Sequence, residues 1–183
     1  MLQLPILVFN AKFFSECNNE IHVKTCSASS KHSKTNPCQN AIDGKSSSDW
    51  ATAGEGAGSW IQLNFERFYK IEAIKIKHRA TGSKPEGELF KDVSFDFSDG
   101  QKIYATLNNI TYRSGLVWNE IVFPSHPESD YIKITATSVY STINNGFSDI
   151  RVYGCTDGKN ISSKDLVLSF IRFVRSIIFY IEL

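Results

Sequence analysis

The sequence carries almost no excess charge of either sign. Its 20 basic and 19 acidic residues leave a formal net charge of +1 and are mixed along the chain. That balance leaves no electrostatic footprint for nucleic acid, so no nucleic-acid partner is expected. It also provides no polybasic cluster for an anionic membrane surface. Alanine and leucine are sparse, no internal repeat is visible, and no run of the domain has a convincing helical period. The cysteines Cys17, Cys26, Cys38 and Cys155 form no Cys-x-x-Cys pair, and no paired histidines follow at zinc spacing. The histidines His22, His32, His78 and His126 form no His-x-x-x-His pair, and there is no Gly-x-Ser-x-Gly elbow. The glycine-rich run Gly54-Glu55-Gly56-Ala57-Gly58 comes before a strand, whereas a phosphate loop follows one, so it reads as a flexible loop. No enzyme is expected.

What is present points to β structure. Aromatic residues make up 13% of the chain, phenylalanine foremost, and they share short runs with β-branched residues. Ile21, Val23 and Thr25 alternate with polar residues, as do Ile61, Leu63 and Phe65, then Ile74, Ile76 and His78. Ile71 is out of phase with the last set, which predicts a bulge near Ala73. Val93, Phe95 and Phe97 form one alternating face and Ile103, Ala105 and Leu107 another. Between them Ser98-Asp99-Gly100 signals a hairpin. Runs at 120–123, 131–137 and 150–153 complete about eight short strands, the pattern of a sandwich or barrel. A long polar loop from Ser27 to Ser59 is expected to lack secondary structure.

Four cysteines suit two disulfides and an oxidising compartment, hence a secreted or extracellular protein. The sequons at Asn109 and Asn160 add to this as candidate glycosylation sites. The N-terminal segment 1–16 opens with the apolar MLQLPILVF. It has the core of a signal peptide without the positive start or a clear cleavage site. The segment 156–183 ends in an apolar tail interrupted by Arg172 and Arg175. It reads as an extension outside the domain, an amphipathic helix or an anchor.

Three blocks are more specific: Asn40-Ala41-Ile42-Asp43-Gly44, then Asp49-Trp50-Ala51-Thr52 with Gly58-Ser59-Trp60-Ile61-Gln62-Leu63, and finally Gly146 to Cys155. In order and spacing they resemble the discoidin family, also called the coagulation-factor five/eight type C domain. The similarity covers residues 17–155. It implies an all-β, eight-stranded jelly-roll β-sandwich of the galactose-binding-domain-like fold. It also implies a disulfide joining the two ends of the domain, which suits Cys17 with Cys155 and leaves Cys26 with Cys38. Spacing alone keeps a 26–155 pairing open.

The resemblance further implies a structural calcium ion. Asp43 and Asp149 would give carboxylates and Asn40, Lys45 and Ser148 carbonyls, with Thr52 adding its hydroxyl or carbonyl. Such a mixed oxygen set suits calcium. Relatives usually carry Glu at the Asp149 position, so the site here departs by one methylene. The plain alternative is that Asp43-Gly44 is only a turn and that Asp49 and Asp149 are solvated. For the ligand, the resemblance points to His78, Arg79, Tyr140, Asn144 and Asn145 in loops at one end. Arg79-Ala80-Thr81 departs from the Arg-x-Asp run of fucose binders. The polar loops at 45–58 and 81–88 count against membrane insertion. Trp50 and Trp60 read as core anchors. The function expected is recognition of a glycan or extracellular glycoprotein by a calcium-braced module. The alternatives are a protein–protein adhesion or matrix module that binds no sugar, and a non-catalytic accessory domain of a larger secreted protein.

Overall fold

The computed structural model describes residues 19–45, 47–79, 88–107, 117–140 and 144–156. Cys17, Asn109, Asn160, the N-terminal segment 1–16 and all of the C-terminal stretch beyond residue 156 lie outside them. Nine strands occur among the described residues: β1 (Asn19–Ile21), β2 (Thr25–Ala28), β3 (Trp50–Ala51), β4 (Trp60–His78), β5 (Phe90–Phe97), β6 (Lys102–Thr106), β7 (Asn119–Val122), β8 (Glu128–Val139) and β9 (Gly146–Cys155). All pairings are antiparallel.

The architecture follows from β4. Its first half buries Ile61, Leu63 and Phe65, as alternation predicts, and pairs with β2 and β8. The exposed residues Glu66, Arg67 and Phe68 follow, and the register with β8 shifts between Asn64 and Tyr69. Its second half buries Ile71, Ala73, Ile74, Ile76 and His78, and pairs with β7 and β9. One bent strand therefore serves both layers, β2–β4–β8–β5–β6 and β7–β4–β9. Both β1 and β3 pair along β9. The predicted bulge is present: the β4–β9 register shifts between Ile71 and Ala73, which brings both residues inward.

The layers meet through aromatic rings. Phe95 and Phe97 of β5 each lie 5.2 Å from Phe123, edge-on, while Phe90 lies 4.8 Å from Phe147 of β9. Fully burying a side chain of this size contributes roughly 1.5–3 kcal/mol. The β5–β6 hairpin turns at Ser98-Asp99-Gly100. Gly100 takes φ +86° and its N–H donates to the Phe97 carbonyl, so the glycine supplies the left-handed residue the turn needs.

Three expectations change. Ile21, Val23 and Thr25 do not share one strand, because β1 pairs with β9 and β2 with β4, and the chain changes layer between them. The stretch from Ser27 to Ser59 is not without secondary structure: it holds a 3-10 turn at Cys38–Ala41 and the two-residue β3. The two apolar runs around 61–65 and 71–78 are halves of one strand.

Candidate functional site

The loops at one end of the sandwich are tied down by buried polar groups. The chain enters β3 with Trp50 fully buried, its ring 6.0 Å from Phe90 and 5.8 Å from Phe147, and its indole N–H donating to the Ser30 carbonyl at 3.0 Å. β3 pairs with the start of β9, Trp50 opposite Phe147. Gly146 permits this close approach: a Cβ there would lie 1.8 Å from the Trp50 carbonyl oxygen. The Cys26–Cys38 disulfide ties β2 to the 3-10 turn that leads into the Asp43 loop. That excludes the 26–155 pairing. Cys155 is disulfide-bonded as well.

Arg79, at the end of β4, is the centre of the arrangement. Its side chain is only 6% exposed. Nε donates to Asp49 at 3.1 Å, while Nη1 donates to Glu88 at 2.5 Å and to the Asn144 carbonyl at 2.7 Å. One guanidinium therefore gathers the segments before β3, β5 and β9. Burying a charge is tolerable only when it is paired and hydrogen-bonded, and this one is. Asp49 also accepts the Asn36 amide at 2.7 Å. Burial pushes the Glu88 carboxyl above the usual carboxylate range; Arg79 opposes that shift and Asp49 adds to it.

Four of the five residues expected to meet ligand converge here. His78 is buried, stands opposite Phe147 in the ladder and packs on its ring at 6.3 Å. Asn144 gives its carbonyl to Arg79 and holds φ +47°. Asn145 is buried and its carbonyl accepts the Thr52 N–H at 2.8 Å. Tyr140 is 39% exposed, and its N–H donates to the carbonyl of Leu89, next to Glu88. Arg79 does not extend into solvent; both its acidic partners are protein groups.

The residues expected to bind calcium lie beside this cluster. The 3-10 turn packs on β3 and β9. The Asp43 carboxylate accepts the Lys45 N–H and the Ser48 hydroxyl, both at 2.8 Å. Asn40 donates to the Thr35 and Asp49 carbonyls. The Thr52 hydroxyl is buried and meets no hydrogen-bond partner among the described residues. Ser148 is buried and donates to the His78 carbonyl at 2.8 Å. Asp149 is 2% exposed and accepts from Arg151 at 3.3 Å, which holds the Arg151 guanidinium above its ordinary range. The reading of Asp49 and Asp149 as solvated is therefore wrong. Among the described residues no three His, Cys, Asp or Glu side chains gather as a metal cluster. The expected set has two carboxylates and otherwise neutral oxygens.

Sequence reasoning passed over Glu88 and Asn36 and gave Asp49 no partner. The available signal was Arg79 itself. An arginine directly following an inward-facing strand residue needs an acid if it is buried. Trp50 is a core anchor as expected. Trp60 is only half-buried, with Lys133 Nζ 4.4 Å from its ring centre.

The family model for the F5/8 type C domain matches residues 25–152. No curated protein sequence matches the chain. Solved structures do. The family 32 carbohydrate-binding module of Clostridium perfringens NanJ, in complex with galactose, is 21% identical with a TM-score of 0.58, covering 70% of this chain and 92% of that one. The lectin-binding domain of lectinolysin, a His 62 mutant complexed with Lewis b, is 15% identical with a TM-score of 0.56, covering 76% and 95%. A truncated AlyQ with a family 32 module and an alginate lyase domain is 16% identical with a TM-score of 0.60, covering 76% of this chain and 34% of that one. Two layers sharing β4, a loop end held by Arg79, and a family match over nearly the whole sandwich lead to one assignment: this chain belongs to the F5/8 type C, or discoidin, domain family.

Proposed function

We propose that the domain is an extracellular, non-catalytic carbohydrate-binding module that takes its ligand at the loop end and is braced there by calcium. The observation that carries this is convergence. The Asn144 carbonyl accepts from the buried Arg79 guanidinium, His78 stands opposite Phe147 and the Asn145 carbonyl accepts from Thr52, so segments up to 67 residues apart come together at this end. Two of the similar structures are complexes with sugars, galactose in one and Lewis b in the other. Arg79, His78 and Asn145 are buried and position the loops, leaving Tyr140 and Asn144 as the residues that would face a sugar. Disulfide bonding at Cys26, Cys38 and Cys155 supports the extracellular setting. Among the described residues no helix is long and apolar enough to cross a membrane.

The calcium reading rests on Thr52. A buried hydroxyl without a partner costs about 1–3 kcal/mol, and a cation coordinated by its oxygen would offset that penalty. Asp43, Asp149 and the carbonyls of Asn40, Lys45 and Ser148 would complete the oxygen set, bracing the loop that carries Asp49. The test is a glycan array that includes galactose and Lewis b, run in calcium and in chelator, with melting temperature recorded in both. Binding in calcium with a higher melting temperature than in chelator is the expected result. No binding in either condition would overturn the glycan reading, and equal melting temperatures would overturn the calcium reading.

A further inference from the structure

Both residues that would face a sugar are held through Glu88. Its carboxylate accepts from Arg79 Nη1 at 2.5 Å, and the same nitrogen donates to the Asn144 carbonyl at 2.7 Å. The next residue, Leu89, accepts the Tyr140 N–H at 3.0 Å through its carbonyl. Glu88 and Leu89 are both buried, so the segment that joins the two ligand-facing loops is fixed from inside.

The arrangement sets two buried carboxylates against one guanidinium. Asp49 is the better held. One of its oxygens accepts Arg79 Nε at 3.1 Å and the other the Asn36 amide at 2.7 Å. Among the described residues the Glu88 carboxylate accepts from Arg79 alone. A buried charge persists only while its hydrogen bonds offset the solvation it has lost, so Glu88 is the acid that takes a proton first. Burial is the largest influence on it and favours the proton. Arg79, at the end of β4, and the exposed His32, whose N–H donates to the Ala51 carbonyl of β3, favour the charge, while Asp49 favours the proton again.

We propose that Glu88 is a positioning residue for the ligand end, and that acid releases ligand there by neutralising it. The inference rests on the loop end being a sugar site. The charged form draws Arg79 Nη1, and with it the Asn144 carbonyl, toward the segment that carries Leu89 and holds Tyr140. A neutral carboxyl gives up a charge-assisted bond, which is roughly twice as strong as an ordinary one, and the two loops are then free to part. Ligand that needs the loops joined favours the ionised acid. Affinity is therefore highest above the folded pKa of Glu88 and falls as pH drops through it.

The test is calorimetric titration of the intact protein with galactose and with Lewis b, in saturating calcium, at about pH 7 and about pH 4. The amide resonances of Tyr140 and Asn144 are followed over the same range. Affinity should fall about tenfold in acid, the scale of one charge-assisted bond. Glu88→Gln, which keeps the uncharged shape, should bind weakly at both pH values, and His32→Gln should leave the acid loss in place. Both amides should shift together in the wild type, with one midpoint above the ordinary glutamate range, and that shift should be missing in Glu88→Gln. Equal affinity at the two pH values would overturn the proposal. So would tight binding by Glu88→Gln, or an acid loss that this variant retains, which would point to the calcium carboxylates instead. Loss of the acid effect in His32→Gln would make His32 the sensor and overturn it as well. If neither sugar binds at neutral pH, the glycan reading fails and the amide shifts decide alone: their absence in the wild type, or their persistence in Glu88→Gln, sinks the role given to Glu88.

Discussion

The two ends of the sandwich close in different ways. At the hairpin end the core is rings against rings: Phe95 and Phe97 meet Phe123, and the adjoining turn is set by residues that are neighbours in sequence. At the loop end the rings of Trp50, Phe90 and Phe147 pack together, and the segments leading to Trp50 and Phe90 are held by Arg79, Asp49 and Glu88, three ionisable groups that pair across 9 and 30 residues of chain. Apolar closure tolerates approximate positions, because dispersion is non-directional. Polar closure does not, because each donor needs its acceptor. The end that would meet ligand is thus the end whose shape is fixed by directional bonds.

The largest expected effects test that contrast directly. Arg79→Met keeps most of the volume but leaves two carboxylates buried without their cation, and should destabilise by about 3–5 kcal/mol at neutral pH. Phe123→Ala should cost a similar amount, about 3–5 kcal/mol, by opening a cavity. Denaturant titrations at neutral and acid pH should separate them. The Arg79→Met loss should shrink in acid, where the carboxylates take up protons, and the Phe123→Ala loss should not. Equal pH behaviour would break the comparison. Next in size, Cys26→Ser with Cys38→Ser should lower stability by about 3 kcal/mol in the chain-entropy model, read from the same titrations. The smallest effect concerns Glu88. Its folded pKa lies above the unfolded value, so the folded state holds the proton more tightly. Its contribution is therefore most favourable at low pH and falls as pH rises from the unfolded pKa through the folded one. Glu88→Gln should remove that decline, flattening the dependence of melting temperature on pH above the ordinary carboxylate range.

Legibility follows the same division. The Ala73 bulge, the Ser98-Asp99-Gly100 turn and the inward face of Val93, Phe95 and Phe97 were readable because each is encoded within a few residues. The bend at Glu66–Phe68 that makes one strand of two apolar runs was not, since it depends on β8 changing register alongside it. β3 was invisible because two residues carry no period; only its partner, β9, defines it. Arg79 could be picked out as important, but its role could not. Whether an arginine reaches for ligand or for Asp49 and Glu88 depends on contacts that local sequence does not contain.

The pairing of β1 with β9 sets Asn19 beside Gly154. The chain therefore comes into the domain and leaves it side by side. β9 then runs ten residues from Gly146 to Cys155, about 30 Å, between that doorway and the loop end. A domain wired this way can be spliced into the loop of a host protein or strung in a row without threading its neighbours. In either setting its loop end points outward from the tether, like the head of a pin.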